Sequence, residues 1–346
     1  MSILSGVSDF FSLDIGTTAI RVVELKGSGP VKTLHRYGQL AIDRQVANSD
    51  SRADQQKMGQ FIKELVSKAN ISSKNVAVGI PSRRVFTAVF DVERLSPSEL
   101  NNTLKYQADS MIPTPIDQSK LDWALLGDSP VDQTKMEILL SSVSNDFIER
   151  RLDMLESIGL NVVAFEPDNL ALVRSMLAPD STEAQMVLDV GSTSTDLVVV
   201  SNGVPRLTRA IPTGTEAFVK AATQNLGIDY NQAQQFVFKF GLSKDKLEGQ
   251  IHQAIISTVD LLVAEIEKSI KFYQSRYINS GVQRIVVTGG ASTLPEFPLY
   301  LANKFNTAVE IGNAWRNISF AADRQNELLS VSNYYGVAAG LAERKE

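Results

Sequence analysis

Apolar positions over residues 8–84 follow strand-like and helix-like spacings in turn. The segments "AIRVVEL" and "NVAVGIP" are short, apolar and β-branched, as buried strands are, and "VKTLHRYGQLAI" alternates loosely enough to pair beside the first of them. The segment "SRADQQKMGQFIKELVSKANI" instead has apolar residues at helical spacing, namely Met58, Phe61, Ile62, Leu65 and Val66. This part of the chain is therefore predicted to form strands and one amphipathic helix.

A second block of elements begins after Pro81. It comprises "RVFTAVFDV" (strand), "SPSELNNTLKYQADSMI" (helix), "KLDWALLG" and "KMEILLSSV" (strands) and "NDFIERRLDMLESIG" (helix). Ser96 followed by Glu99 has the spacing of a capping box at the start of the first of these helices. The block is predicted to be a β-α-β-β-α subdomain of roughly 75 residues, which is large enough to hold a small core of its own.

The second half of the chain is richer in helical patterns. In "NVVAFEPDNLALVRSML" a strand runs into a helix through Glu166 and Pro167. The segments "TEAFVKAATQNLG" and "NQAQQFVFKFG" predict two helices, and "QIHQAIISTVDLLVAEIEKSIKFYQSRY" predicts a long amphipathic one. A buried strand, "QRIVVTGGAST", precedes helices at "LPEFPLYLANKF" and "NYYGVAAGLAER". Because no long linker interrupts the pattern, the domains are expected to pack tightly.

One short motif occurs twice. The segments "LDIGTTAIRVVEL" (13–25) and "LDVGSTSTDLVVV" (188–200) match in Leu, Asp, a β-branched residue, Gly, a hydroxyl residue and Thr, and an apolar strand follows each. One such turn alone is what any tight hairpin favours. Two copies about half a chain apart indicate a duplicated architecture with two like domains.

The residue types in these hairpins suit a phosphate ligand. Glycine at Gly16 and Gly191 lets the backbone approach a ligand closely. Backbone N–H groups and side-chain hydroxyls can donate to phosphate oxygens, and the hydroxyls belong to Thr17, Thr18, Ser192 and Thr193. The motif therefore predicts a phosphate contact in each hairpin.

The carboxylates need a different role, because they would repel phosphate directly. Asp14 and Asp189 are interpreted as holders of Mg²⁺ through its retained waters. Arg21, on the outgoing strand of the first hairpin, can add positive charge toward the phosphates, whereas the second hairpin has Asp196 at that position. A third element, the late "TGGA" with Gly289, Gly290 and Ala291, is predicted to contact the nucleoside, because a Gly pair after a strand lets a flat ring pack on backbone.

Composition excludes several other classes of protein. The chain has 346 residues, a net charge of −5, no cysteine and two histidines far apart, His35 and His252. These values argue against electrostatic nucleic-acid binding, disulfides, thiol chemistry and a histidine zinc site. No stretch reaches the roughly 18 apolar residues of a membrane helix, and the start lacks signal-peptide features. A cytoplasmic protein without direct membrane insertion is expected.

Taken in order, the two Asp-x-Gly-[Ser/Thr]-Thr hairpins and the late Thr-Gly-Gly-Ala resemble the actin, sugar-kinase and heat-shock ATPase superfamily. More narrowly, the chain resembles the PilM family of actin-like type IV pilus assembly proteins, which is itself similar to the division protein FtsA. This resemblance is carried by "LDIGTTAIRVVEL", "YQADSMIPTPID", "FEPDNLALVR", "TGTEAFVKAATQNLGIDYNQAQQF" and "YYGVAAGLAER".

The resemblance implies an α/β, actin-like (ribonuclease H-like, duplicated) fold with two lobes around a nucleotide cleft. It implies a first lobe core at 8–84 plus 162–186, carrying an α/β insert at 85–164. It implies a second lobe core at 187–213 plus 281–346, carrying a helical, nucleotide-proximal subdomain at 214–280. ATP and Mg²⁺ are the implied cofactors.

Further nucleotide contacts follow from the same resemblance. Gly214 and Lys220 are expected near the ribose and adenine, although Lys220 taken alone is an ordinary solvated helix residue. Related proteins often have Ala-Glu-x-x-Lys in the next helix, where this chain has "AQQFV". Gln234 can still bond a ribose hydroxyl, but Val237 supplies no cation, so weaker nucleotide binding is expected unless Lys239 compensates.

Glu166 is the candidate catalytic residue, because the matching junction residue of related ATPases faces the γ-phosphate. The same glutamate also fits an ordinary acid favoured by a helix N-terminus, and both interpretations stay open. Since no other residue has the character of a strong base, any ATP turnover is expected to be slow.

By the same resemblance, the function is that of an ATP-binding adaptor of type IV pilus assembly. Its partner is expected to be the N-terminal cytoplasmic peptide of a PilN-like inner-membrane protein, which would hold the adaptor at the membrane. The peptide groove is expected between the first lobe and the 85–164 insert, with Tyr106, Met111 and Ile112 as candidate wall residues or, equally, subdomain core. Nucleotide is expected to bias this groove by a population shift.

Two other classes of function remain open from the sequence. A small-molecule kinase on the same fold needs an acidic base over a substrate hydroxyl, and the insert shows no polar cluster that suits a substrate. The second class is a filament-forming protein or a membrane tether. The ending "AAGLAERKE" has no separate amphipathic anchor, which argues against the tether.

Overall fold

The computed structural model describes residues 9–27, 29–278 and 280–345. Residues 1–8 lie outside the described residues, and they include the segment in which no signal peptide was predicted and the first residue of the predicted first lobe core. Residue 346, the predicted end of the second lobe core, also lies outside them. The chain forms two compact units. Unit 1 draws on Met1–Ala171, Asn317–Phe320 and Val337–Glu346, and unit 2 on Leu172–Arg316 and Ala321–Gly336.

Unit 1 contains most of its elements in the first half of the chain. Its described strands are β1 Phe11–Ile15, β2 Ala19–Lys26, β3 Thr33–Ala41, β4 Asn75–Ile80, β5 Val85–Glu93, β6 Ser119–Asp128, β7 Lys135–Ser144 and β8 Asn161–Pro167. Its described helices are α1 Arg44–Asn48, α2 Arg52–Lys68, α3 Pro97–Asp109, α4 Asn145–Ser157 and the start of α5 Asp168–Met176.

The main sheet of unit 1 has the order β3-β2-β1-β4-β8. Strands β1, β2 and β3 pair antiparallel as a meander, whereas β1, β4 and β8 run parallel. One face of α2 packs on this sheet, because its residues Met58, Ile62 and Leu65 are fully or almost fully buried. The helical spacing that predicted an amphipathic helix is confirmed by these three side chains.

A separate three-stranded sheet, ordered β5-β7-β6, is inserted in unit 1. Helix α3 covers one of its faces and contributes Leu100 and Leu104 to a small core with Val92 and Ile138. The predicted capping box begins α3: the Ser96 hydroxyl accepts from the Glu99 N–H, and the Glu99 carboxylate accepts from the Ser96 N–H at 3.0 Å. The sheet and its helix therefore bury their own apolar side chains.

Unit 2 repeats the main sheet of unit 1 with new strands. Its described strands are β9 Gln185–Val190, β10 Thr195–Ser201, β11 Val204–Ile211, β12 Arg284–Thr288 and β13 Ala308–Ile311. Their order is β11-β10-β9-β12-β13, with an antiparallel meander of β9, β10 and β11 and parallel pairing of β9, β12 and β13. The duplication inferred from the two hairpins thus extends to the whole sheet.

Helices complete unit 2. They are the end of α5, then α6 Thr215–Leu226, α7 Tyr230–Phe240, α8 Gln250–Arg276, α9 Phe297–Phe305, α10 Gln325–Val331 and the start of α11 Gly336–Ala342. The long helix α8 buries Ile255, Val259, Leu262 and Ile266 in a core shared with α6, α7 and the sheet. Among the described residues, no helix combines the length and the apolar content needed to span a bilayer.

The end of the chain returns to unit 1. Most of α11 lies there, and the Ser12 hydroxyl donates to the Ala338 carbonyl at 2.6 Å. Gly340 lies so close to the Ala171 backbone that a Cβ would overlap its carbonyl oxygen. The final apolar helix is therefore fixed against β1 and the first residues of α5.

Candidate functional site

The first hairpin carries its aspartate at the end of β1. Asp14 is in register with Arg21 on β2, and Arg21 Nη1 lies 3.5 Å from Asp14 Oδ2. Asp14 is 6% exposed, and burial raises the pKa of its carboxyl above the usual value, against the lowering effect of Arg21. The positive charge that the sequence assigned to the phosphates is thus beside Asp14 in this structure.

The turn of this hairpin is narrow. The Gly16 N–H donates to the Ala19 carbonyl at 3.0 Å, and a Cβ on Gly16 would lie 2.9 Å from that oxygen. Thr17 and Thr18 are half-buried, and their hydroxyls make no hydrogen bond to the part of the chain that the structure describes. Both hydroxyls therefore remain available as donors to a ligand.

The second hairpin has the same backbone with different surroundings. The Gly191 N–H donates to the Ser194 carbonyl at 3.0 Å, as in the first turn. Here, however, the cross-strand neighbour of Asp189 is Asp196, and Asp189 is half-buried. Two carboxylates occupy the register positions that hold an opposite-charge pair in unit 1.

Helix α6 begins directly on the second turn. The N–H groups of Thr215 and Glu216 donate to the carbonyls of Gly191 and Ser192, both at 2.9 Å. A Cβ on Gly214 would lie 2.5 Å from the Ser192 carbonyl oxygen and 2.6 Å from that of Gly191. Glycine at 214 is therefore required for this close packing. Ser192 and Thr193, the next two residues of the turn after Gly191, are half-buried.

The late Gly pair lies beside Asp189. Thr288 is the parallel-strand partner of Asp189, and Gly289 follows with φ 76°, a conformation that favours glycine. A Cβ on Gly289 would overlap Asp189 Oδ1, whereas the nearest atom to a Cβ on Gly290 is 3.7 Å away on Thr215. The fold thus brings Asp189, the second turn, Gly214 and the Gly pair together in unit 2, with Ala291 buried just beyond them.

The remaining predicted contacts of unit 2 lie on helix surfaces. Lys220 is exposed and its Nζ lies 3.0 Å from Glu216 Oε1. Gln234 is exposed on α7, whereas Val237 is fully buried in the core of unit 2. Lys239 lies over the Phe240 ring at 5.4 Å. Val237 therefore serves packing, and the nearest lysine on the helix is engaged by an aromatic ring.

Glu166 is the last residue but one of β8 in unit 1 and is 3% exposed. Arg344 Nη1 donates to Glu166 Oε2 at 2.6 Å, which ties the end of the chain to this strand. Strand β4 runs beside it, with Gly79 as the Cα partner of Glu166. In this arrangement the candidate catalytic carboxylate is one half of a buried ion pair.

A cavity of about 230 Å³ lies in unit 1 next to the inserted sheet. Its lining combines cations and rings, including Arg83, Arg84, Phe86, Pro113, Phe147 and Arg150. Arg84 Nη2 lies 3.1 Å from Asp50 Oδ2, and the Arg84 guanidinium lies over the Phe147 ring at 5.3 Å. Arg150 is paired with Asp146 on the same helix. The cavity is therefore both charged and apolar.

The three residues predicted as groove wall lie in different environments. Tyr106 is 83% exposed and Met111 is 38% exposed, whereas Ile112 is 8% exposed and packs in the insert core with Ala108 and Leu140. The next two residues of the same stretch, Pro113 and Thr114, line the cavity instead. Ile112 thus fits the core alternative that the sequence left open.

Sequence reasoning missed the basic residues of this cavity and the partner of Glu166. The signal that was available is "PSRRV" directly after β4, two adjacent arginines at the carboxyl end of a parallel strand. Arg344 carries no local signal, since it lies 178 positions from Glu166. Within the described ranges, no three or more His, Asp or Glu side chains form a metal-binding group, and Mg²⁺ requires fewer carboxylates than that.

Comparison with known proteins gives a match over nearly the whole chain. A family model described as "Type IV pilus assembly protein PilM" matches residues 12–346. The cell division protein FtsA of Buchnera aphidicola subsp. Baizongia pistaciae (strain Bp) is 24% identical over an alignment of 204 residues that covers 51% of this chain and 48% of that protein. The matched region thus spans about half the length of that curated relative.

Solved structures show the same fold. A chain of a PilM-PilN type IV pilus biogenesis complex has a TM-score of 0.83 and 22% identity, covering 97% of this chain and 98% of that one. EutJ from Carboxydothermus hydrogenoformans has a TM-score of 0.58 and 14% identity, with 96% and 88% covered. MreB5 of Spiroplasma citri bound to ADP has a TM-score of 0.51 and 14% identity, with 96% and 95% covered. The predicted actin-like fold is confirmed.

Proposed function

Because the chain belongs to the PilM family of type IV pilus assembly proteins, we propose that it is an ATP-binding adaptor of the pilus assembly machinery. In this function it binds the N-terminal cytoplasmic segment of a PilN-like inner-membrane protein. It is cytoplasmic and is held at the inner membrane by that partner. The family match is the observation that carries the proposal.

The cavity of unit 1 supports the partner-binding part. It lies where the first core meets the inserted sheet, since Asp50, Arg83 and Arg84 come from the core and Phe86 and Phe147 from the insert. Peptide grooves combine an apolar lining with a few polar anchors, and this lining offers both. The solved PilM-PilN complex, whose fold this chain shares, is consistent with a PilN-like partner.

The arginines suggest how a peptide is held. The guanidinium of Arg84 already packs on Phe147, so little conformational freedom remains to be lost on binding. The planar donors of Arg83, Arg84 and Arg150 can bond peptide carbonyl oxygens or carboxylates while apolar side chains pack on the rings. Tyr106 and Met111 remain proposed outer wall residues of this groove, with Pro113 and Thr114 closer in.

The hairpins support the nucleotide part. The hydroxyls of Thr17 and Thr18 have no partner among the described residues, and glycine at 16, 191 and 289 lets the chain pack closely on neighbouring protein atoms, where a Cβ would not fit. These features fit ATP phosphates, with Asp14 and Asp189 holding Mg²⁺ through its waters. Gly214, Lys220, Gln234, Gly289, Gly290 and Ala291 are the proposed contacts of the ribose and base.

Hydrolysis is proposed to be slow. Glu166 remains the candidate for orienting water, but its carboxylate is buried and bonded to Arg344. Because one of its oxygens already accepts a hydrogen bond from Arg344, fewer lone pairs are left to orient a water. Nucleotide then acts mainly by shifting the population of groove conformations, and the protein resembles a ligand-gated clasp more than an enzyme.

The adaptor is tested with a synthetic peptide of the first cytoplasmic residues of the PilN-like partner, labelled at its C-terminal end. Fluorescence anisotropy measures its Kd with and without Mg-ATP. Arg84→Glu is expected to raise the Kd about 10-fold or more, because arginine anchors in grooves contribute on this scale. Lys63→Glu is the control, since Lys63 is exposed on α2 and does not line the cavity.

Absence of peptide binding by the wild-type protein in both nucleotide states would refute the adaptor function. If Arg84→Glu and Lys63→Glu bind the peptide with equal affinity, the peptide does not bind in the proposed groove. A scrambled peptide of the same composition separates sequence recognition from charge attraction. The kinase alternative is not favoured, since the family match is to pilus assembly proteins.

A further inference from the structure

Arg151 is a buried cation to which the proposed function assigns no role. It lies on α4, is 7% exposed, and its Nη1 has no hydrogen-bond partner within the described residues. Burial lowers the pKa of Arg151 to about 10, so it remains protonated at neutral pH. Because a buried charge without a close partner is costly, its presence calls for an explanation beyond packing.

Arg151 is directly behind the lining of the groove. It follows Arg150, which lines the cavity, and its guanidinium lies 5.4 Å from the centre of the Phe147 ring. Phe147 also lines the cavity, and the Arg84 guanidinium packs on its ring. A side chain that displaces Phe147 or Arg84 therefore changes the surroundings of Arg151.

The charge of Arg151 also interacts with a second region. Its positive charge is stabilised by Asp50, which lines the groove, and by Asp168, which lies two positions after Glu166. The positive charges of Arg83 and Arg84 repel that of Arg151. Arg151 is thus attracted by one carboxylate of the groove and by another beside the candidate catalytic residue.

The backbone joins the same two regions. Gly79 on β4 is the Cα partner of Glu166, and Asp168 Oδ1 lies so close to Gly79 that a Cβ there would overlap it. Five positions after Gly79, the chain supplies Arg84 to the groove. The groove and the Glu166–Asp168 segment therefore both lie at the carboxyl ends of β4 and β8, two parallel neighbours in the main sheet of unit 1.

We propose that Arg151 is the positioning residue that couples peptide binding in the groove to nucleotide binding beside Glu166. This inference rests on the proposed function of the groove and the hairpins. A peptide that engages Asp50 and Arg84 leaves Arg151 more strongly attracted to Asp168, which packs on Gly79 beside Glu166. By linkage, a nucleotide that alters the Glu166–Asp168 segment changes peptide affinity by the same factor.

The test is a binding cycle. The labelled PilN-like peptide is titrated in the presence and absence of Mg²⁺ with a non-hydrolysable ATP analogue, and the ratio of the two Kd values is the coupling. A coupling of ordinary size gives a ratio of about 5 or more for the wild type. Arg151→Met, which keeps the volume and removes the charge, is expected to bring the ratio close to one while each ligand alone binds within about 3-fold of wild type.

Arg150→Met is the matched control. Arg150 is the neighbouring residue and lines the groove, so its loss is expected to weaken the peptide equally in both nucleotide states and leave the ratio unchanged. Arg151→Lys keeps the charge and is expected to give a ratio of Kd values between those of the wild type and Arg151→Met. Thermal melts of each variant verify that the fold is intact.

The outcomes separate the inference from the function beneath it. A wild-type ratio that survives in Arg151→Met overturns the inference and leaves the adaptor function standing. A wild-type protein that binds peptide with a ratio of one overturns the inference and the nucleotide control of the groove. A wild-type protein that binds no peptide overturns both the inference and the adaptor function.

Discussion

The two hairpins have one motif and one backbone, but the residue opposite the shared aspartate carries the opposite charge in one and the same charge in the other. In unit 1, Asp14 is buried and faces Arg21 across the strand pair. In unit 2, Asp189 is half-buried, faces Asp196, and packs against Gly289. The first aspartate therefore has its counter-charge inside the hairpin, whereas the second has a like charge at the same register position.

A repeated motif therefore need not have the same role in both of its copies. Opposite charges across a strand pair stabilise it and like charges destabilise it. The first hairpin is built for stability with Asp14 partly neutralised. In the second, Asp196 is the cross-strand partner of Asp189, and carboxylate oxygens are ligands that a divalent cation prefers. We expect Asp189 to be the more important Mg²⁺ holder of the two.

The largest effect is expected from removing the counter-charge of the first hairpin. Arg21→Gln leaves Asp14 buried beside a neutral partner and is expected to lower the free energy of unfolding by about 3 kcal/mol. Asp196→Asn, the same register position in unit 2, is expected to change it by less than about 1 kcal/mol, in the stabilising direction. Urea denaturation measures both.

The double variant Asp14→Asn with Arg21→Gln is the control for that comparison. If the cost of Arg21→Gln comes from leaving the buried charge of Asp14 without its counter-charge, the double variant recovers most of it. Similar losses for Arg21→Gln and Asp196→Asn would show that the two hairpins are electrostatically equivalent after all.

Gly289→Ala tests the contact that exists only in the second hairpin. The added Cβ overlaps Asp189 Oδ1 and the residue has a positive φ, so a loss of about 2–3 kcal/mol is expected. Gly290→Ala is the matched neighbour, whose Cβ meets only ordinary contacts, and its stability is expected within about 0.5 kcal/mol of wild type. A tolerated Gly289→Ala would contradict the packing of Gly289 on Asp189.

Substitution of the two aspartates ranks their roles in Mg²⁺ binding. Asp189→Asn is expected to weaken Mg²⁺-dependent ATP binding about 10- to 100-fold, the range seen when a residue that orders metal-bound groups is lost. Asp14→Asn is expected to weaken it less, because Arg21 already offsets that charge. Calorimetric titration with ATP, with Mg²⁺ or with EDTA, gives the ratio, and the reverse ranking would refute the assignment.

The smallest effect is a pH dependence of stability. Because burial raises the folded-state pKa of Asp14 above its ordinary value of 3.8, the folded protein holds this proton more tightly than the unfolded chain. The contribution of Asp14 to stability therefore falls as pH rises from the ordinary pKa through the raised one, and is constant outside that window. The melting temperature of Asp14→Asn minus that of the wild type should rise with pH across this window. A difference that does not vary with pH would exclude a raised pKa.

Much of the fold could be predicted because its signals are local. The hydrophobic spacing predicts α2, α4 and α8, the Ser96–Glu99 pair predicts the start of α3, and the repeated motif predicts two like sheets. Strands β11 and β13 received no separate prediction. Strand β11 contains Pro205, and β13 has four residues, too few to show a period. The domain boundaries and the site residues stay predictions.

The site could be predicted only in part, for a physical reason. Residue types that suit phosphate are visible at Gly16, Thr17 and Gly191 because each turn is continuous in sequence. The groove is different, because Asp50, Arg84 and Phe147 become neighbours only when the insert packs on the core. Arg151 has the same character, since nothing in "ERRLDML" distinguishes it from the exposed Arg150 beside it.

Spacing and turn chemistry along the chain were enough to predict the duplicated hairpins and most of the helices and strands, and the actin-like fold followed from the resemblance to a known family. The roles of the charges become visible only in the folded protein, where Arg21 pairs with Asp14, Gly289 packs on Asp189, and Arg344 binds Glu166. Electrostatic roles depend on distance and burial, and for residues far apart in sequence both are set by packing.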